Sequence, residues 1–185
     1  ISLEVISQFI GDQIDQESLK KIIEHSIDFK FPLKKIEENI SVLELFHGPS
    51  MAFKDVGARF TSRCLSYFIR RGYDRKFTVL VATSGDTGAA VASGFHKVEG
   101  VDVFILYPKN KISNIQERQI STFSDNIFPV EVDGTFDECQ EIVKDALIDK
   151  DLTSNFNFTT ANSINISRWI PQTLYYFFAY CQLPS

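Results

Sequence analysis

The sequence predicts an α/β fold in which a parallel β-sheet is flanked by helices. Three apolar runs, residues 77–82, 101–107 and 127–132, have the length and composition of buried strands. A turn and a segment with helical spacing of its apolar residues follow each run, which is the pattern of βαβ units. Strands that are apolar almost throughout indicate a sheet covered on both faces. The region before these units is predicted to be an N-terminal helical part.

This N-terminal region contains recognisable element signals. Apolar residues recur on one helical face over residues 17–27, which predicts an amphipathic helix. Residues 41–46 are predicted to form a strand that leads into the Gly48-Pro49 turn. Apolar side chains then recur at every fourth position over residues 54–71, so a longer amphipathic helix is predicted there.

The helices of the βαβ units are predicted from the segments that follow the strands. They cover residues 87–96, 115–122 and 136–148, with Thr135 as the N-cap of the third. A last helix is predicted to begin after a cap at residue 162 or 163 and to continue to residue 181, with a kink at Pro171.

Composition and charge exclude several classes of protein. Hydrophobic residues make up 44% of the 185 residues and charged residues 23%, the balance of a globular protein. A net charge of −5 argues against nucleic acid or an anionic membrane surface as a partner. No apolar run is long enough to span a bilayer. The sequence shows no signal peptide, and it begins without Met, which suggests that the chain starts inside a longer protein. The few, unpaired cysteines lead us to expect a cytoplasmic protein.

The three cysteines indicate neither a disulfide framework nor a metal site. Cys64, Cys139 and Cys181 are far apart, and no Cys-x-x-Cys pair or histidine cluster accompanies them. We therefore expect reduced, mostly buried thiols and no bound metal.

Lys54 is the first candidate for covalent chemistry. It stands at the predicted start of a helix, behind the Gly48-Pro49 turn, with Ala52 and Phe53 beside it. Apolar surroundings remove the hydration of an amine and favour its neutral form, which forms Schiff bases with carbonyl compounds. A solvated surface charge is the alternative interpretation of a lysine at a helix start.

The segment Ser84-Gly85-Asp86-Thr87-Gly88 is a candidate anion-binding turn. It follows a predicted strand and opens a helix, where backbone N–H groups and hydroxyls can hold a carboxylate or a phosphate. Ligands bind at this end of the strands in open α/β sheets. A capped turn without a ligand is an equally good interpretation of the local sequence, and the charge of Asp86 opposes a bound anion.

Further polar candidates lie outside these two segments. Lys109 could attract a phosphorylated substrate or be an ordinary loop charge. Asn162 and Arg168 belong to a polar segment in which the guanidinium could bind a phosphate or pair with a carboxylate. His47 could be a general base or a hydrogen-bonded structural imidazole.

Four segments together carry a family resemblance. LFHGPSMAFKD at 45–55, VATSGDTGAAVASGF at 81–95, YPKNKISNIQERQ at 107–119 and NSINISR at 162–168 resemble the bacterial-type threonine synthases. These are pyridoxal-phosphate-dependent enzymes of the tryptophan-synthase-β fold, also called fold type II. The resemblance implies that the parallel sheet belongs to the small domain of that fold.

The resemblance also implies roles for the candidate residues. Lys54 would hold pyridoxal 5′-phosphate and move protons, with Phe53 and Asp86 beside the cofactor. The remaining candidates would bind the substrate: Ser84, Gly85, Thr87, Gly88, Lys109, Asn162 and Arg168. The implied reaction converts O-phospho-L-homoserine and water into L-threonine and phosphate.

The same resemblance suggests a division of the chain and leaves alternatives open. An N-terminal region of residues 1–50 would precede a small α/β domain of 51–160, and 161–185 would begin a large domain. We expect a fragment that lacks both ends, including the loop that binds the cofactor phosphate. A serine or threonine dehydratase, a cysteine synthase, or a non-catalytic phospho-ligand-binding relative remain the alternatives.

Overall fold

The N-terminal part of the chain consists of two helices and a hairpin in the computed structural model, which describes residues 1–72 and 76–183. Helices α1 and α2 span Ser2–Ile10 and Gln16–Ser26, and the second agrees with the helix predicted over 17–27. Strands β1 (Leu33–Glu37) and β2 (Ile40–Leu43) pair antiparallel. The strand predicted over 41–46 is therefore shorter, and its partner strand was not predicted.

The alternating part of the chain follows the predicted order of helices and strands. Its elements are α3 (Asp55–Arg70), β3 (Phe77–Ala82), α4 (Asp86–Phe95), β4 (Val101–Pro108), α5 (Asn114–Ser121), β5 (Ile127–Val132) and α6 (Phe136–Ile148). The predicted bounds of β3, β5 and α6 and the start of β4 are confirmed, and each of the other bounds differs by one residue. Thr135 caps α6 through a capping box with Glu138, as its side chain led us to expect.

A fourth strand completes the sheet on the opposite side of β3. After α6, a short helix α7 (Lys150–Asn155) leads into β6 (Asn157–Thr160), and neither element was predicted. The sheet has the order β5-β4-β3-β6, and all three pairings are parallel. The chain thus crosses from one edge of the sheet to the other between β5 and β6. This reversal of direction opens a crevice at the carboxyl ends of β3 and β6.

Both faces of the sheet are covered by helices. Alternate residues of β3 point to opposite faces, so that Val79 and Val81 pack in one apolar cluster and Leu80 and Ala82 in another. The first cluster includes residues of α3 and α4, and the second includes residues of α6. The covered parallel sheet predicted from the apolar strands is confirmed.

The single last helix predicted over 162–181 is wrong. The structure has α8 (Ile166–Trp169), a 3-10 turn (Pro171–Thr173) and α9 (Leu174–Cys181) instead. Asn165 caps α8, because its side chain accepts a hydrogen bond from the N–H of Ser167. Pro171 lacks an N–H donor and begins the 3-10 turn, where the α-helical ladder is interrupted.

A third apolar cluster joins the N-terminal helices to the end of the chain. It contains Ile6 of α1, Leu19 of α2, Phe60 of α3 and Leu174 of α9, all at most 1% exposed. Within the described residues, no helix is long and apolar enough to cross a membrane. Cys64 and Cys139 are buried free thiols, as expected, whereas Cys181 is exposed.

Candidate functional site

A cavity of about 380 Å³ lies where the loops after β3 and β6 meet the start of α3, within the size range of small-molecule sites. The crevice between β3 and β6 therefore opens beside the candidate lysine. The cavity is lined by Phe53, Lys54, Ala82, Thr83, Ser84, Thr87, Phe136, Gln140, Val143, Lys144, Leu147, Thr160, Asn162, Ser163, Ile164, Arg168, Trp169 and Gln172.

Lys54 stands immediately before α3 and extends its side chain along the cavity wall. The side chain is 23% exposed, and its Nζ lies 4.5 Å from the centroid of the Phe53 ring. The carboxylate Oδ2 of Asp86 is 3.7 Å from the same nitrogen. The amine is therefore partly buried, flanked by an aromatic face and paired with a carboxylate.

The turn before Lys54 is fixed by the residue that follows it. Asp55 is 1% exposed, and its Oδ2 accepts a hydrogen bond of 2.9 Å from the N–H of Ser50. A Cβ on Gly48 would lie 2.4 Å from that same oxygen, so the turn requires glycine at this position. Burial raises the pKa of the Asp55 carboxyl above its ordinary value. The backbone of Lys54 is thereby tied to the Gly48-Pro49 turn.

Residues 84–88 after β3, here called the glycine loop, are held in shape by Thr83. This residue was not identified from the sequence. Its buried Oγ1 accepts hydrogen bonds from the N–H of Gly85 at 2.9 Å and of Gly88 at 2.8 Å. Gly88 has no room for a side chain, because a Cβ would lie 2.7 Å from both Thr83 and Ile120. The presence of a hydroxyl side chain directly before the loop is the sequence feature that could have indicated this role.

The groups that remain for a ligand in this loop are hydroxyls and first-turn N–H groups. Ser84 and Thr87 border the cavity. The N–H groups of Asp86 and Thr87 lie in the first turn of α4, where a helix offers no intrahelical acceptor. This end of a helix carries partial positive charge, which favours a bound carboxylate or phosphate.

Asp86 links this loop to two neighbouring elements. Its Oδ1 accepts a hydrogen bond of 2.8 Å from Nε2 of Gln116 in α5, while its Oδ2 faces Lys54. The negative charge that seemed to oppose an anion at this loop thus has the Lys54 ammonium as a partner.

Asn162 forms the wall of the cavity on the β6 side. Its Oδ1 accepts from the N–H of Ala82 at 3.0 Å, and its Nδ2 donates to the carbonyl of Ala82 at 2.7 Å. The side-chain amide continues the pairing of β6 with β3 beyond the last strand residue. Asn162 therefore holds the two loops of the crevice together.

Arg168 is a buried guanidinium at the edge of the cavity. It is 3% exposed, and its Nη1 donates to the carbonyl of Ala161. Burial lowers its pKa to about 10. Its Nε is buried without a hydrogen-bond partner among the residues that the structure describes. This nitrogen lies on the side of α3, near Gly57, while the residue lines the cavity with a positive charge that suits an anionic ligand.

Two other candidates lie elsewhere. Lys109 does not line the cavity, and its exposed Nζ lies 3.6 Å from Oε1 of Glu131. The imidazole Nε2 of His47 lies 2.7 Å from Oε2 of Glu44, outside the cavity wall. All the other predicted site residues either line the cavity or belong to residues 84–88, which form the end of the loop after β3 and the first turn of α4.

The chemistry of the cavity fits the cofactor that the resemblance implies. Pyridoxal 5′-phosphate needs an amine for its aldehyde, and Lys54 supplies one beside the ring of Phe53. Hydroxyls, a helix N-terminus and the Arg168 guanidinium are donors for the carboxylate and phosphate groups of an amino-acid substrate. No cluster of metal-ligating side chains occurs in residues 1–72 and 76–183.

Comparison with known proteins agrees with this chemistry. The family model described as pyridoxal-phosphate dependent enzyme matches residues 30–175. The threonine synthase of Buchnera aphidicola subsp. Baizongia pistaciae is 48% identical over 183 residues, which cover 98% of this chain and 42% of that protein.

Two solved structures have the same fold over nearly the whole chain. The crystal structure of Escherichia coli threonine synthase superposes with a TM-score of 0.92 and 46% identity, covering 100% of this chain and 42% of that one. Pyridoxal-phosphate-bound threonine synthase from Brucella melitensis gives a TM-score of 0.85 at 34% identity, covering 97% and 40%. The chain thus spans about two fifths of the length of these relatives. It belongs to the family of pyridoxal-phosphate-dependent enzymes.

Proposed function

We propose that the protein is a threonine synthase, which converts O-phospho-L-homoserine and water into L-threonine and phosphate. The observation that carries the proposal is the position of the Lys54 amine, in a cavity bordered by the glycine loop and by Arg168. Sequence identities of 48% and 46% to two threonine synthases, over almost the entire chain, support the same reaction. Pyridoxal phosphate is the cofactor of the family to which the chain belongs.

Lys54 is proposed to hold the cofactor and to transfer protons. When bound, pyridoxal phosphate withdraws electrons from the carbon atoms of the amino acid attached to it. The Nζ of Lys54, once released by the substrate amine, takes and returns protons at the α and β carbons of the substrate. The backbone of Lys54 lies directly before α3 and is held by Asp55, so the side-chain nitrogen can move only within the cavity. Phe53 and Asp86 are proposed to lie beside the cofactor.

The remaining candidate residues are proposed to bind and orient the substrate. Ser84, Thr87 and the first-turn N–H groups of α4 suit the α-carboxylate. Gly85 and Gly88 allow the loop backbone to adopt this shape. Arg168 suits the phosphate, because this charged residue lines the cavity, and Asn162 holds the loops after β3 and β6 together. Lys109 would act only through long-range attraction, since it lies outside the cavity wall.

The proposed partner is a small molecule, and the proposed compartment is the cytoplasm. Three free cysteines and no disulfide in the described residues support a reducing compartment.

The first test is replacement of the proposed cofactor lysine. In full-length protein with Lys54→Ala, we expect no cofactor to be fixed by borohydride in the presence of pyridoxal 5′-phosphate, because the amine that bonds the aldehyde is gone. Mass spectrometry of the reduced protein locates the attachment site in the unaltered enzyme.

Lys144 provides a matched control, because it lines the same cavity from α6. The Lys144→Ala protein should retain the fixed cofactor on Lys54. A reducible adduct that survives Lys54→Ala but disappears with Lys144→Ala would contradict the proposed role of Lys54.

An activity assay separates a synthase from a dehydratase. A synthase forms threonine and phosphate from O-phosphohomoserine, whereas a dehydratase forms 2-oxobutanoate from threonine.

A further inference from the structure

Gln116 in the first turn of α5 lies directly on the glycine loop. A Cβ built on Gly85 would lie 2.3 Å from both Cδ and Nε2 of Gln116, so the amide group rests against the loop backbone. Gly85 also has φ of +136°, which side-chain-bearing residues rarely adopt. The Gln116 amide is therefore a second reason why this position requires glycine.

The Gln116 amide is held at both of its ends. Its Oε1 accepts from the N–H and from the hydroxyl of Ser113, each at 3.1 Å. Its Nε2 donates to Oδ1 of Asp86 at 2.8 Å. Because its oxygen accepts from Ser113 and its nitrogen donates to Asp86, the amide has one orientation only. Gln116 thus has two separable tasks, capping α5 and orienting Asp86.

The contact continues from Asp86 to the candidate cofactor lysine. A carboxylate is planar, so a hydrogen bond that fixes Oδ1 also fixes the direction of Oδ2. That second oxygen lies 3.7 Å from Nζ of Lys54. The first turn of α5 is in this way connected through Gln116 and Asp86 to the amine in the cavity.

We propose that Gln116 is a positioning residue that holds the Asp86 carboxylate in the orientation that keeps the Lys54 amine at the cofactor site. The inference rests on the proposed role of Lys54 and adds a residue from a different helix to that site. Gln116 acts through Asp86, since its own amide is engaged by Ser113 and Asp86.

The replacement Gln116→Glu separates the two tasks. Glutamate retains a side-chain oxygen for the N–H and hydroxyl of Ser113, so the cap of α5 persists. Its second oxygen replaces the donor to Asp86 and places two carboxylates against each other. We expect the apparent Kd for pyridoxal 5′-phosphate to rise roughly tenfold, as for the loss of a hydrogen bond to a charged group. The readout is the fraction of Lys54 modified after borohydride reduction, measured by mass spectrometry across a cofactor titration in the full-length protein.

Two further variants identify the cause of the effect. Ser113→Ala removes the capping hydroxyl but leaves the backbone N–H that holds Oε1, and its Kd should stay within about twofold of the unaltered protein. The double variant Gln116→Glu with Asp86→Asn restores one donor and one acceptor in reversed order. Its Kd should fall below that of the single variant Gln116→Glu, because the asparagine oxygen can still face Lys54, but stay above that of the unaltered protein, because the charge paired with Lys54 is lost.

The outcomes separate this inference from the proposed function. Lys54 modification at unchanged Kd in Gln116→Glu would overturn the positioning role while leaving Lys54 as the cofactor lysine. Equal weakening by Ser113→Ala and Gln116→Glu, or no recovery in the double variant, would reduce Gln116 to a helix cap. Absence of any modification of Lys54 in the unaltered protein would refute the proposed role of Lys54, and the inference with it.

Discussion

Single side chains determine the shape of the loop between β3 and α4. The Oγ1 of Thr83 accepts two backbone N–H groups, from Gly85 and Gly88, that would otherwise have to find partners inside the protein. The loop is folded around this hydroxyl, and Thr87 is consequently presented at the cavity. In this short segment, the hydroxyl of Thr83 holds the backbone, whereas the hydroxyl of Thr87 lies at the cavity and can contact a ligand.

Thr87 provides a prediction at this scale. Replacing Thr87 by valine removes one hydroxyl donor at nearly constant shape, and we expect substrate binding to weaken by roughly 1.5–3 kcal/mol, as for a hydrogen bond to a charged group. The effect should appear as a higher KM with a smaller change in kcat. Thr87→Ser, which retains the hydroxyl, is the matched control. Kinetics of Thr87→Val that equal those of the unaltered enzyme would mean that the loop is a capped turn without a substrate contact.

At the scale of secondary-structure elements, the close packing of α8 against α3 depends on a glycine. A Cβ on Gly57 would lie 2.2 Å from the backbone carbonyl oxygen of Arg168 and 3.0 Å from its Nε. Because a helix backbone cannot move away as a flexible side chain can, this contact fixes the distance between the two helices. At this separation of the helices, Arg168 lies at the edge of the cavity.

We therefore expect Gly57→Ala to separate α3 from α8. Overpacking at such a contact costs roughly 1–3 kcal/mol of stability. This cost should exceed the stability that alanine gains over glycine in a helix interior. Equilibrium urea unfolding measures the loss of stability. Gly94→Ala is the graded comparison, because its Cβ would lie 3.2 Å from its nearest neighbours in α3 and should cost less. A Gly57→Ala protein as stable as the Gly94→Ala protein would contradict the close contact.

At the scale of the whole molecule, the N-terminal helices are not packed separately from the rest. The cluster of Ile6, Leu19, Phe60 and Leu174 brings together side chains that are distant in sequence. The division into segments 1–50, 51–160 and 161–185 remains a prediction, and residues 184 and 185 of the last segment lie outside the described residues.

The replacement Leu174→Ala tests this coupling. Leu174 is 1% exposed, and truncation of a buried leucine costs roughly 2–5 kcal/mol. Because Leu174 belongs to the same apolar cluster as Leu19 of α2, amide hydrogen exchange in α2 should accelerate along with that in α9. Faster exchange confined to α9, with α2 protected as before, would show that the N-terminal segment is stable on its own. Tyr176→Ala, at a side chain that is 80% exposed, is the matched control.

The elements that could be predicted from the sequence are those whose signal is local. Strand β3 is apolar except for Thr78 and is followed by a glycine turn, while α6 has its own N-cap in Thr135, so their bounds follow from neighbouring residues alone. Strand β6 has only four residues, Asn157–Thr160, and no apolar run. Its pairing with β3 supplies the hydrogen bonds that stabilise it, and this partner is distant in sequence.

By itself the sequence determined the α/β class, the family resemblance and Lys54 as the candidate for covalent chemistry, because each depends on local sequence patterns. Only the tertiary structure decided which side chains share one cavity. It brought Asn162 and Arg168 to the glycine loop through the crossover to β6, and it left Lys109 outside the cavity beside Glu131. It also revealed Thr83 and Gln116, whose roles come from hydrogen bonds to the loop backbone and to Asp86. The direction of a side chain across a fold depends on packing between distant segments, which no local pattern encodes.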